Sequence, residues 1–281
     1  MTDFSFLGNK LPIGYTRKGT EFREFLLRSP KGSLRRDVLN VVHNQNLMLA
    51  TALKHVIASL GDIPQPPEDF IRRLTMTDIN YINFCMMVRQ AVKPGIIEWE
   101  HQCGRNDVPR FLDADEDQPC KHVWTLSVKA LDVDLVDIES REALIFSDEA
   151  EVFLETIFHD PVESRAVKYK ARVVTFADSQ NIMHRFSGKQ SGRMAQGDLI
   201  FAQVAQQVVD YDGNGPLTPA LLDDMDARTL DCLVDSWMSQ VVPGLDLDVD
   251  GECPNCGRGF RTELPLTGWL RPFAPPPQSQ K

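Results

Sequence analysis

The chain has 281 residues, 42% hydrophobic and 25% charged, enough to bury a core in one large domain or two ordinary ones. Its formal net charge of −10, from 30 Lys and Arg against 40 Asp and Glu, argues against general nucleic-acid binding, because phosphate contacts need a basic surface. No apolar run reaches the roughly 18–20 residues that span a bilayer, and Met1 to Lys10 lacks a charged start followed by an apolar stretch. A protein kept in the cytosol, with no membrane and no nucleic-acid partner, is therefore expected. Six cysteines in such a chain point to metal or buried thiols more than to a disulfide framework.

In chain order, residues 1–20 read as a weakly patterned extended arm and Glu21 to Leu27 as a candidate strand, punctuated by Pro30-Lys31-Gly32. Ser33 reads as the N-cap of one long helix to Leu60, ended by Gly61, with Leu39, Val42, Leu47, Ala50, Leu53, Val56 and Leu60 at mostly helical spacing. His43 and His55 on it are read as packing or surface residues. Pro64-Gln65-Pro66-Pro67 breaks the chain; Glu68 to Leu74 makes a short helix, and Thr77-Asp78 caps another that buries Cys85 and ends at Gly95.

Ile96 to Gln102 reads as a strand running into the turn Cys103-Gly104. An acidic loop, Asp113 to Asp117, follows, and Cys120-Lys121-His122 leads into the alternating strand Val123 to Leu131. Residues 132–176 look β-rich, with candidates at 143–146, 152–158 and 166–176, the last two separated by Asp160-Pro161. The pattern is helical from Ser179 to Val209, interrupted at Gly188 to Gly197. Thr218-Pro219 then starts a helix to about Val242 that buries Cys232, closed by Pro243-Gly244. Strands at 245–250 and 260–266 flank Cys253-Pro254-Asn255-Cys256-Gly257, and a Pro-rich tail ends the chain.

The fold class expected is α+β: helical segments with β-hairpins that carry zinc-ribbon-like knuckles. Five segments are expected: 1–63, an arm and helix; 64–135, a helix and the first cysteine hairpin; 136–215, a β-rich then helical middle; 216–272, a helix and the second knuckle; and 273–281, the tail. One order recurs, helix, Gly, strand, Cys-Gly turn, strand, at 78–104 and again at 219–257, a candidate internal duplication.

Cys253-x-x-Cys256-Gly257 is a zinc knuckle by spacing: the tight turn aims both sulfurs at one point, and the glycine allows positive φ. Thiolates suit Zn²⁺, which takes four ligands in a tetrahedron, so a structural zinc is the expected cofactor and two ligands are still needed. Cys103 and Cys120 supply them in one arrangement. In another, His101, Cys103, Cys120 and His122 hold a separate metal and leave the late knuckle short. In a third, only Cys253 and Cys256 bind and the early pair are free thiols. The first completes the knuckle.

Asp210 to Gly215 and Asp246 to Gly251 open like calcium loops but lack the twelfth-position Glu, where Leu221 and Gly257 stand; they read as polar turns. No phosphate loop, nucleophile elbow or H-E-x-x-H is present, so no catalytic residue is named and no enzyme is expected.

Leu74-Thr75-x-x-Asp78, a helix ending near Arg89, Gly95, a strand, a cysteine turn and Val128-x-x-Leu131-Asp132-Val133 resemble the N-terminal half of the phage base plate protein family. That family comprises baseplate hub and tail-assembly proteins of T-even-type contractile-tailed phages. Cys253-Pro254-Asn255-Cys256-Gly257-x-x-Phe260, Leu264-Pro265-Leu266 and Trp269, Pro272 and Phe273 resemble its C-terminal ending. The chain departs from the pattern at Glu100, in the place of a cysteine, in the acidic loop, and at Leu270-Arg271. The resemblance implies a tail structural or assembly protein, a virion component or an assembly chaperone acting in the host cytoplasm, with other tail and baseplate proteins as partners. A zinc-ribbon adaptor acting on transcription or nucleic acid is the alternative, and a metal-dependent hydrolase a third.

Overall fold

The computed structural model describes residues 8–41, 45–104, 120–187, 196–267 and 269–270. It is α+β, with antiparallel sheets and helices interleaved along the chain. Strands β1 (Lys10–Arg17) and β2 (Thr20–Leu27) form a hairpin. Helices α1 (Gly32–Asn40) and α2 (Gln45–Val56) follow, and α2 runs directly into β3 (Ile57–Leu60), which pairs with β2. A turn at Gly61 (φ +54°) leads to β4 (Ile63–Pro64), completing a sheet ordered β1-β2-β3-β4.

Two expectations are corrected here. The arm over 1–20 contains β1, whose Leu11, Ile13 and Tyr15 alternate inward and are fully buried. The long helix from Ser33 to Leu60 is two helices and a strand, capped at Lys31, because Phe25, Leu26 and Leu27 of β2 offer a backbone partner to Ile57–Leu60. The β-branched and apolar Val56-Ile57 junction suits either conformation, and pairing decides it.

Helix α3 (Glu68–Arg72) precedes α4 (Met76–Gln90). The N-cap of α4 is Thr75, two residues before the expected Thr77-Asp78: its Oγ1 accepts the Asp78 N–H at 3.2 Å. Asp78 is fully buried and reaches across to β1, where its carboxylate accepts the N–H groups of Ile13 (2.9 Å) and Gly14 (3.1 Å) and the Thr75 hydroxyl (2.8 Å). Those two amides are free for it because the β1–β2 register shifts between Lys10 and Tyr15. Gly14 has φ +69°, and a Cβ there would stand 2.7 Å from the Phe22 carbonyl oxygen. Except for Asn80, every residue of α4 from Asp78 to Val88 is buried, so this helix is surrounded on all sides.

Strands β5 (Ile96–Gln102) and β6 (Val123–Lys129) form the first cysteine hairpin. The acidic loop between them lies outside the described residues. Then come β7 (Leu135–Val136), a 3₁₀ turn over Ile138–Ala143, and β8 (Ile145–Phe146), shorter than the expected strand at 143–146. Strands β9 (Val152–Asp160) and β10 (Arg165–Arg172) form a second long hairpin, so the expected strand at 166–176 stops at Arg172. Helices α5 (Phe176–Ser187) and α6 (Gln196–Gln207) follow; most of the interruption expected between them lies outside the described residues. Helix α6 runs into β11 (Val208–Tyr211), which pairs with β10 and ends the helix before the expected Val209.

Thr218 caps and Pro219 opens α7 (Pro219–Asp224), as the sequence predicts, but the helix does not continue to Val242. It breaks at Met225, and Asp226 caps a second helix, α8 (Ala227–Met238), by accepting the Arg228 N–H. Strand β12 (Gly244–Leu245) pairs with β7, and β13 (Asp248–Glu252) with β14 (Gly259–Glu263) makes the second cysteine hairpin.

The recurring order is longer than the one read from sequence. Hairpin, two helices, strand, two helices and cysteine hairpin occur as β1-β2-α1-α2-β3-α3-α4-β5-β6 and again as β9-β10-α5-α6-β11-α7-α8-β13-β14, apart from the short β4 after β3 in the first run and the short β12 before β13 in the second. In both, the third strand follows a helix without a loop and pairs with the second strand of the hairpin.

Among the described residues, three apolar clusters hold the chain. One joins the β1–β4 sheet to α4 and includes Leu144, Val152, Leu154 and Phe176. A second lies around Phe84, Met86, Met87 and Val88 of α4, with Ile97 and Trp99 of β5 and Leu264, Leu266, Trp269 and Leu270. Trp269 Nε1 donates to Asn83 Oδ1 at 3.1 Å inside it. The third fills the space between the β9–β11 sheet and α6, α7 and α8. Among the described residues no helix is long and apolar enough to cross a membrane.

Candidate metal centre

The two cysteine hairpins meet at their turn ends. Cys103 follows the last residue of β5, and its N–H donates to the His122 carbonyl at 3.0 Å across the hairpin. Cys120 stands on the returning arm, where Lys121 (φ +58°) turns the chain into β6. On the other side, the Cys253 N–H donates to the Arg258 carbonyl and the Gly257 N–H to the Cys253 carbonyl, both at 2.8 Å. Gly257 has φ +70°, the left-handed conformation a knuckle needs after its second cysteine.

The four sulfurs lie within 4.8 Å of one another, and among the described residues this is the group placed to hold a metal ion. Cys103 and Cys256 are 3.8 Å apart at sulfur, and Cys120 and Cys253 are 3.6 Å apart. A zinc tetrahedron with Zn–S bonds of about 2.3 Å has S···S edges of about 3.8 Å, so the spacing fits such an ion. All four are free thiols. Cys103 and Cys253 are buried, whereas Cys120 and Cys256 are exposed.

Charge supports the same reading. Burial pushes the Cys103 thiol up to about 12, while the Asn255 side chain and a backbone hydrogen bond from His122 bring Cys120 down to about 6. Cys256 is raised: the Arg258 backbone opposes the shift, and neighbouring Cys120 and burial drive it. Sulfurs this close resist carrying several negative charges together. A divalent cation at the centre removes that resistance, with release of protons.

The histidines serve another purpose. The His101 ring stacks on Phe260 at 4.5 Å between centroids and meets Trp124 edge-on at 4.8 Å, with Trp124 edge-on to Phe260 at 5.5 Å. His122 stacks on Trp124 at 5.9 Å. These rings join the two hairpins beneath the cysteines, and neither histidine belongs to the sulfur cluster. Gly251, opposite Phe260 in the β13–β14 register, makes room for that ring: a Cβ there would stand 2.7 Å from it. Reading by ligand type alone misses Asn255, Trp124, Phe260 and Gly251. The glycine facing an aromatic across a hairpin is the one signal the sequence offers for them.

The remaining candidates lie apart from this centre. Asp210 Oδ1 accepts the Gly215 N–H at 2.9 Å, and Asp246 Oδ1 accepts the Asp248 N–H at 3.2 Å, so both acidic loops are hydrogen-bonded turns. Cys85 is buried in α4, where burial pushes its thiol up to about 12. Cys232 is half-buried on α8 against the third cluster.

Comparison of the chain with protein-family models, with curated proteins and with solved structures finds no match.

Proposed function

We propose that Cys103, Cys120, Cys253 and Cys256 hold one structural zinc ion, and that the protein acts by binding other proteins during assembly of a contractile phage tail, at the baseplate hub. The metal reading rests on one observation, four sulfurs from two separate hairpins within 4.8 Å. Four thiolates fill a tetrahedral zinc and leave it no open position for a substrate, so the ion's role is to join the hairpins. The repeated order of elements supports a duplicated unit whose copies each contribute two sulfurs.

The tail-assembly reading is supported by the resemblance at Leu74 to Val133 and at Cys253 to Trp269. The acidic balance of the chain suits a protein held apart from nucleic acid until it meets its partners. Metal analysis of the purified chain tests the first part: one zinc per chain is expected, and Cys256→Ser should lose it together with a few kcal/mol of stability, on the order of 5–10 °C in Tm. Unchanged zinc and Tm would remove the metal. Quantification in purified particles and in infected-cell lysate tests the second part. Copies in the particle make it a baseplate component, presence in the lysate alone makes it a released assembly factor, and absence from both sinks the reading.

A further inference from the structure

We propose that the same four cysteines are an oxidant-sensitive latch, converted by a peroxide into two disulfides, Cys103–Cys256 and Cys120–Cys253, each tying one hairpin to the other. The inference shares its residues with the zinc reading, but the pairing stands on sulfur geometry alone. Within a cluster whose four sulfurs all lie inside 4.8 Å, the contacts Cys103–Cys256 at 3.8 Å and Cys120–Cys253 at 3.6 Å run between hairpins. A disulfide is about 2.05 Å long, so each pair closes by about 1.5–1.8 Å.

Exposure gives each pair a division of labour. Cys256 and Cys120 face solvent, whereas their partners Cys103 and Cys253 are buried. An oxidant meets the exposed sulfur first, and the buried one lies at contact distance to resolve the product. The exposed thiolate attacks one peroxide oxygen; the O–O bond breaks, hydroxide leaves, and the sulfur becomes a sulfenic acid. The buried sulfur, losing to solvent any proton it still carries, then attacks that sulfur, the S–S bond forms, and the S–O bond breaks with loss of a second hydroxide. Solvent protonates both. Each disulfide thus takes two electrons from two sulfurs and consumes one peroxide, and a metal held by the four thiolates leaves unchanged in charge.

The consequence is a cross-link that replaces the metal in the same place. Residues 153 and 133 apart in sequence become covalently joined, so the hairpins stay docked after the ion has gone. Cys85, buried in α4, is an internal control that stays reduced.

The test treats the full chain, zinc-loaded and metal-free, with hydrogen peroxide under inert gas, alkylates the remaining thiols, and maps disulfides by mass spectrometry of non-reduced peptides. The expected products are the Cys103–Cys256 and Cys120–Cys253 peptide pairs, with zinc released as they form and Cys85 alkylated. A dominant Cys253–Cys256 or Cys103–Cys120 link, or over-oxidised Cys120 and Cys256 with no cross-link, would overturn the proposal. Cys256→Ser should still form Cys120–Cys253 and leave Cys103 a thiol; pairing of Cys103 instead would also overturn it. Zinc content before peroxide separates the two readings. A zinc-free chain that cross-links between hairpins keeps the latch and loses the metal; a zinc-loaded chain that links within one hairpin does the reverse.

Discussion

Helices α4 and α8 hold corresponding places in two runs of similar element order, and they live in different surroundings. Each packs against the first strand of its own hairpin, β1 or β9. Each is anchored there through its third residue. Asp78 of α4 takes the Ile13 and Gly14 amides of β1, and Thr229 of α8 donates to Asp160 at the end of β9 at 2.8 Å. The cap and anchor residues are exchanged, Thr75 with Asp78 in one and Asp226 with Thr229 in the other. Beyond that point they diverge. Helix α4 is enclosed by two apolar clusters, whereas α8 keeps Arg228, Asp231, Asp235 and Met238 in solvent. The first run therefore places its last helix at the centre of the molecule, and the second places its own at the outside. The side chains on the far face of the helix decide which.

That contrast can be broken most directly by truncation. Phe84→Ala, in the enclosed helix, should cost about 3–5 kcal/mol, while Met238→Ala on α8 should stay within about 0.5 kcal/mol, both read from urea midpoints. Equal costs would mean that α4 is not the centre. The anchors sharpen the comparison next. Asp78→Asn replaces one of the two accepting oxygens by an NH2 donor, set against the Gly14 N–H or the Thr75 hydroxyl, and should cost about 1–3 kcal/mol, against about 1 kcal/mol for Thr229→Val.

Asp78 also has a pH signature. Burial raises its pKa above the usual 3.8, against the hydrogen bonds from Ile13, Thr75 and Gly14. The folded chain thus holds this proton more tightly than the unfolded one. The stability it contributes is complete below the usual value and is lost as pH rises through the folded value. Asp78→Asn should flatten that part of the stability–pH curve, and an unchanged curve would exclude it.

Smaller effects test the hairpin contact. Gly251→Ala sets a methyl against Phe260 and should cost about 1–3 kcal/mol, whereas Gly257→Ala, in open space but at φ +70°, should cost about 1 kcal/mol. His101→Phe should change least: bound zinc stays at its wild-type level, because the ring is packing and not a ligand. Loss of zinc in that variant would restore the histidine ligand set.

Much of this arrangement was legible where the chain is punctuated. Thr218-Pro219 and the Cys-Gly turns mark real boundaries, because a cap or a positive φ is a local demand that one residue type meets. Gly61 and Gly95 do turn the chain, but Gly61 turns between two strands and Gly95 leads into β5, while the helices expected to end at them stop at Val56 and Gln90. The four cysteines could be grouped because metal spacing is stringent, but the choice between cysteine and histidine ligands needed the aromatic layer that occupies His101 and His122. Strand β1 was hidden by Pro12 and Gly14, which look like breakers. Pro12 is tolerated because β1 is at the edge of its sheet, and Gly14 because the register shift there is stabilised from outside by Asp78. The ends of α2 and α6 were hidden for a related reason. A short apolar run suits a buried helix or a strand, and only the neighbouring hairpin decides.

The cysteines are 153 residues apart between Cys103 and Cys256. At a synthesis rate of about 5–20 residues per second, Cys103 leaves the ribosome roughly 8–30 s before Cys256. Until then a nascent chain offers only two of the four sulfurs. A metal held by all four sulfurs would be captured only once both hairpins exist and have met. Uptake of an ion by all four sulfurs would therefore report that both hairpins have been made and have docked.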